Sequence, residues 1–242
     1  MFNLWDVVLI VVVAVFALLV STKAELSVLR SLPSTRGISL KDIGQNALLL
    51  LPTQLAAYLL TIGFMVFYVW ERYRTEFLRA VRWNMPGRKF AWRALAGGVA
   101  LGLTSQLLYM LLHRWIPKSL PIDEYFRTMG SAYALAAFAV LVAPVVEELF
   151  FRGFLYPALA RPLGVVPAIA LTAGLFALLH SQQLAHAWAP LFVLLIVGTV
   201  LTVVRAVTKS VAMCVLIHMA YNFTLVSAAF VATQGFRHLE RA

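Results

Sequence analysis

Charge is scarce in this chain. Of 242 residues only 12% are Asp, Glu, Lys or Arg, and ten acidic groups stand against twenty basic ones. With 62% hydrophobic residues and a mean hydropathy of +0.87, that scarcity excludes an ordinary water-soluble domain. Cysteine is nearly absent: Cys214 stands alone, so no intramolecular disulfide can form and the redox compartment stays open. Gly-rich phosphate loops, HExxH, GxSxG and paired CxxC motifs are missing, as are internal repeats and low-complexity segments.

What is present is a series of apolar runs. A net charge of +10 commonly marks partners such as nucleic acid or an anionic membrane. The runs decide for the membrane, because each has about twenty residues, the length that crosses a hydrocarbon core of about 30 Å. No nucleic-acid partner is expected. The first run, Leu4 to Val20, lacks the positive n-region of a signal peptide and reads as a membrane helix. The others cover 46–70, 94–112, 131–159, 165–185, 187–204 and 207–232, with Pro52 placed to kink the second and Gly97 and Gly98 offering close helix approach in the third. The expected fold is all-α, a polytopic transmembrane bundle of about seven to eight spans.

The loop from Glu71 to Arg93 carries seven basic residues against Glu71 and Glu76 and is the best candidate for a cytosolic face. That choice places the N-terminus in the cytosol and the C-terminus opposite, although Lys23 to Lys41 and Arg114 to Arg127 put nearly as many positive charges on the other side. Trp70, Tyr73, Trp92 and Trp188, near span ends, read as interfacial anchors, and His186 as part of an interfacial turn.

Eight of the ten acids are expected in loops, at interfaces or at termini. Glu147 and Glu148 instead fall inside the fourth run together with Arg152. A charge at the bilayer centre costs roughly 2.5 to 3.5 kcal/mol on insertion scales, so three together need partners or a purpose. On an α-helix Glu148 and Arg152, four residues apart, share a face, whereas Glu147 lies about 140° from Arg152. A structural ion pair between helices explains Glu148 and Arg152 and leaves Glu147 over.

Two further pairs have the same spacing: Phe176 with His180 in the fifth run, and His218 with Asn222 in the seventh. At 1.5 Å per residue, Glu147 lies about 18 Å, His180 about 22 Å, His218 about 15 Å and Asn222 about 21 Å from the same membrane face. Four polar residues on alternating helices therefore arrive near one level, as a buried polar site requires. A lone membrane histidine is more often a helix-to-helix hydrogen bond than a catalyst; the shared depth is what distinguishes these.

Glu147-Glu148-x-x-x-Arg152, Phe176-x-x-x-His180 and His218-x-x-x-Asn222, in this order on successive apolar segments, resemble the CPBP family of CAAX proteases and bacteriocin-processing proteins, also called Abi. The resemblance covers about Ala132 to Ala232. It divides the chain into N-terminal membrane helices and a basic loop without catalytic motifs (1–130), a catalytic membrane core (131–232) and a short tail (233–242). It implies an intramembrane endopeptidase, independent of metal, in a prokaryotic cell membrane. Glu147 is implied as general base, His180 as the group that helps hold the water, His218 and Asn222 as oxyanion stabilisers, and Glu148 with Arg152 as support.

The implied partners are the lipid bilayer and a peptide or membrane-anchored protein substrate, prenylated or not. Chemistry alone leaves alternatives open. No cofactor is expected, yet His180, His218 and Glu147 are also a zinc-ligand inventory. A non-enzymatic immunity or interaction protein, with the cluster purely structural, is the main competing class. A proton-relaying transporter fits the depth but lacks Gly/Pro-broken helices in corresponding halves.

Overall fold

A computed structural model of the chain describes residues 2–35, 37–126 and 128–238, apart from the side chains at 44, 45 and 124; Arg127, the Glu124 side chain and the end of the tail lie outside the described residues. Seven apolar helices dominate: α1 (Leu4–Ser31), α2 (Ala47–Tyr73), α3 (Arg88–Leu112), α4 (Met129–Leu163), α5 (Val165–Leu179), α6 (Trp188–Thr208) and α7 (Val211–Ala232). Six are long and apolar enough to span a membrane, and α5 is shorter. The protein is an all-α, multi-pass integral membrane bundle without strands among the described residues.

Local chemistry places the helix ends. Asn3 accepts from the Asp6 amide while the Asp6 carboxylate accepts from the Asn3 amide, a capping box that starts α1. Ser210 caps α7 by accepting from the Met213 amide. Lys209, in the left-handed region at φ 53°, turns the chain out of α6. The polar stretch expected from Ser21 onward is shorter than its composition suggests, because α1 continues to Ser31.

The centre of the bundle is α7, packed mainly against α3 and also against α6 and the middle of α4. Gly98 makes the α3–α7 seam possible: a Cβ there would lie 2.3 Å from the Ile217 carbonyl oxygen and 2.6 Å from the Ala220 Cβ. Gly97 faces open space and plays no such part. Helices α1 and α2 form a hairpin on the other side of α4, and α5 packs between α6 and the end of α4.

Two features of α4 and α5 place the site. Helix α4 is not regular: it is π-helical over Phe138–Val142 and again over Leu149–Leu155, on either side of an α-helical piece, Ala143–Glu148, that ends on the two glutamates. Helix α5 stops at Leu179 rather than continuing to Ala185. Its 15 residues measure about 22 Å, less than a 30 Å core. Its C-terminal end therefore lies at membrane depth, covered by the turns of residues 180–186.

The distribution of acids also differs from expectation. Asp6, only 2% exposed, sits inside the bundle and accepts from Tyr68 Oη at 2.6 Å and from the Tyr73 hydroxyl. Glu25 lies within α1 and is hydrogen-bonded to Thr53 of α2. Composition located both near a span end, but only the α1–α2 contact reveals their partners. Tyr73 is accordingly an internal hydrogen-bond donor, whereas Trp70, Trp92 and Trp188 are exposed as anchors are.

Candidate active site

The fully buried part of the site is a lock around Arg152. Its Nη1 donates to Glu148 Oε1 at 2.8 Å, its Nη2 to the Gly198 carbonyl at 2.9 Å and its Nε to Thr202 Oγ1 at 3.3 Å, so α4 is tied to α6. The guanidinium also lies 4.9 Å from the Phe176 ring centroid, which joins α5 to the same group. Glu148 and Arg152 are both sealed from solvent. A buried pair of this kind is costly unless its other hydrogen-bonding positions are used, and here α6 supplies those of Arg152.

Glu148 Oε1 accepts a second time, from His218 Nδ1 at 2.9 Å, while Oε2 is sealed without a partner. A carboxylate engaged by guanidinium is an acceptor, so the shared hydrogen is on His218 Nδ1. This orients the ring and turns Nε2 toward Glu147, whose Oε2 lies 3.8 Å away. The lock on one glutamate thus aims a histidine at the other.

Glu147 occupies a different environment. Its side chain is 20% exposed, has no guanidinium partner among the described residues, and lines a cavity of about 370 Å³ together with His180, His218 and Asn222. The four residues separated by up to 75 positions in sequence meet on one wall set, and Glu148 and Arg152 stand behind it.

The early end of α5 determines how His180 is presented. The Phe176 carbonyl is one of the orphan acceptors at a helix C-terminus, and His180 Nδ1 satisfies it at 2.8 Å. With Nδ1–H donated to that carbonyl, Nε2 is left as the ring's other position. Phe176 sits between the two histidines, its centroid 4.9 Å from the His180 ring and 5.9 Å from that of His218. Asn222 Nδ2 donates to the Ala139 carbonyl at 2.7 Å, inside the first π-helical stretch of α4. One amide hydrogen is engaged there, and the second remains available.

Sequence reasoning missed the contribution of the N-terminal helices. Leu50, Leu51, Gln54 and Tyr58 of α2 and Tyr109 of α3 complete the cavity wall, with Tyr58 stacked on Phe138 at 5.8 Å between centroids. Gln54 and Tyr58 are four residues apart on one helix face, a signal that could have been read but is common in membrane helices. The mouth is formed by Ile122, Tyr125 and the exposed Gln183, where the Ile122 amide donates to the Gln183 carbonyl at 3.2 Å. It lies on the face opposite the basic 71–93 loop.

Among the described residues no three His, Cys, Asp or Glu side chains are close enough together to hold a metal ion. The arrangement as it stands offers a carboxylate, two imidazole nitrogens and an amide donor around a small cavity. No curated protein and no solved structure matches the chain. Residues 129–224 do match the family model described as Type II CAAX prenyl endopeptidase Rce1-like. The segment that contributes Glu147, His180, His218 and Asn222 is thus the part of the chain that matches an Rce1-like domain, a match consistent with the CPBP family that its motifs resemble.

Proposed function

We propose that the protein is an intramembrane endopeptidase in which Glu147 activates water without a metal. One observation carries the reading: of two adjacent glutamates, Glu148 is consumed by Arg152 and His218, whereas Glu147 faces the cavity with no Arg or Lys paired to it among the described residues and only His218 Nε2 at 3.8 Å. A purely structural cluster has no use for that second carboxylate.

In this reading a water sits between Glu147 and His180 Nε2. Glu147 takes a proton as the water oxygen attacks the scissile carbonyl carbon. The oxyanion that forms is met by the Asn222 amide and, with a proton on Nε2, by His218. The positive charge this gives His218 is balanced by the two carboxylates on either side of its ring. Collapse of the tetrahedral intermediate breaks the C–N bond, and Glu147 returns its proton to the leaving amine. Arg152 and Glu148 do not touch substrate; they hold His218 in position.

The test is Glu147→Gln in proteoliposomes containing a susceptible peptide. Loss of new peptide termini with an unchanged melting profile supports the base; retained cleavage sinks it. Activity that survives a strong chelator separates this mechanism from a zinc centre at His180, His218 and Glu147. A comparison of peptide termini in membranes holding the two forms would identify the substrate.

A further inference from the structure

On the face opposite the cavity mouth, at the end of α6, lies a second buried cation that catalysis does not use. Arg205 is 5% exposed. Its Nε donates to the Arg152 carbonyl at 2.9 Å, and its guanidinium stands 6.0 Å from the Tyr156 ring. Among the described residues no carboxylate pairs with it. The buried Glu148 already has Arg152 and His218 on one oxygen.

The cation beside Arg205 makes the imbalance larger. Arg82, exposed and likewise without an ion-pair partner among the described residues, adds a like charge to the surroundings of Arg205. Arg82 is fixed there by the backbone: it adopts φ 60°, its carbonyl accepts from the Val211 amide at 3.0 Å, and the following Asn84 donates to the Lys209 carbonyl at 3.1 Å. The 77–87 segment is thereby clamped on the α6–α7 turn, which keeps the Arg82 backbone beside the end of the helix that carries Arg205.

Burying a guanidinium without a counter-ion is costly, and a like-charged neighbour adds to that cost. Among the described residues the sealed polar side-chain atoms that lack a partner are Ser21 Oγ, Glu148 Oε2 and Thr172 Oγ1. The Nη groups of Arg205 are not among them, and with no acceptor among the described residues they reach the surface. They do so at the end of a membrane helix, where the phosphate groups of lipids lie.

We propose that Arg82 and Arg205 form a binding site for one phosphate oxyanion, the phosphodiester of an anionic phospholipid headgroup or a soluble phosphate. Guanidinium forks match phosphate oxygens in geometry, and an anion shared by two of them reduces the imbalance. The site is joined to the lock through one bond, because the carbonyl that Arg205 holds belongs to Arg152. Occupancy therefore stabilises the α4–α6 contact. The site does not depend on the catalytic reading.

The experiment uses the full chain purified in a neutral detergent and in nanodiscs of phosphatidylcholine alone or of equimolar phosphatidylcholine and phosphatidylglycerol. Native mass spectrometry reads retained lipid, and thermal unfolding reads stability. Retention of phosphatidylglycerol over phosphatidylcholine by the wild type, lost in Arg82→Gln and kept in Arg88→Gln, supports a lipid headgroup site. A rise in melting temperature with inorganic phosphate in neutral detergent, absent in Arg82→Gln, supports the site with a soluble ligand. Arg205→Gln is expected to match Arg82→Gln; if it does not fold, Arg82→Gln decides alone, since its side chain is exposed. Equal retention and equal phosphate response in wild type, Arg82→Gln and Arg88→Gln overturn the proposal.

Discussion

The bundle buries acids in two places, and they are handled in opposite ways. Asp6, in α1, has its carboxylate oxygens taken by the Asn3 amide, Tyr68 and Tyr73. Phe2 packs over this end of the helix, stacked on Phe154 at 4.0 Å and edge-on to Tyr73. Glu147 and Glu148, in α4, divide the two conditions between them: Glu148 is locked as Asp6 is, and Glu147 is left facing a cavity. Burial of an acid in a membrane protein therefore does not identify chemistry. What sets Glu147 apart is its place on a cavity wall with only the His218 ring, 3.8 Å away, as an ionisable neighbour among the described residues.

The comparison is broken or sharpened by substitution. The largest expected effect is on rate: Glu147→Gln lowers peptide cleavage by about 10²- to 10⁴-fold, the range of a lost general base, without lowering stability. Asp6→Asn leaves the turnover of folded protein unchanged. If the two variants affected turnover equally in a proteoliposome cleavage assay, the distinction between a saturated and a spare carboxylate would fail.

Arg152→Gln comes next. It leaves Glu148 buried without its main counter-ion and is expected to cost about 3–5 kcal/mol, read as a lowered unfolding midpoint in detergent. Cleavage falls with it, since His218 loses the carboxylate geometry that orients its ring. A stability loss in Glu147→Gln as large as in Arg152→Gln would instead argue for a structural cluster throughout.

Tyr68→Phe, which removes one donor from Asp6 and nothing from the cavity, is expected to cost about 1–2 kcal/mol of stability and no turnover. The smallest contrast tests the seam that holds α7, and with it His218 and Asn222, in place. Gly98→Ala forces its Cβ against the Ile217 carbonyl and should cost about 1–2 kcal/mol. Gly97→Ala, facing open space, should leave the unfolding midpoint where it is.

Much of the site is legible in the chain because charge is rare in it. Glu147, Glu148, Arg152, His180, His218 and Asn222 stand out against apolar surroundings, and helical rise alone brings them to a common depth. The i, i+4 pairing of Glu148 with Arg152 forms even though Leu149–Leu155 is π-helical. Other parts carry no such signal. Tyr58 and Gln54 look like any amphipathic pair on a membrane helix until α2 packs beside Phe138. The π-helical stretches of α4 leave no mark in residue type, because a shift of one residue in backbone pairing depends on what lies alongside; Asn222, donating to Ala139, is one such neighbour.

By itself the sequence determined a multi-pass helical bundle and the identity of its intramembrane polar residues, because the cost of exposing backbone and charge to lipid leaves few other readings. The tertiary structure decided which of two neighbouring glutamates is free. That choice rests on α6 supplying Gly198 and Thr202 to Arg152 and on α7 supplying His218 to Glu148, contacts between residues some 50 to 70 positions apart. It also decided that α5 ends early, so that His180 caps its helix inside the membrane and turns its remaining nitrogen away from that cap. Local spacing sets which side chains share a face; only packing determines what that face meets.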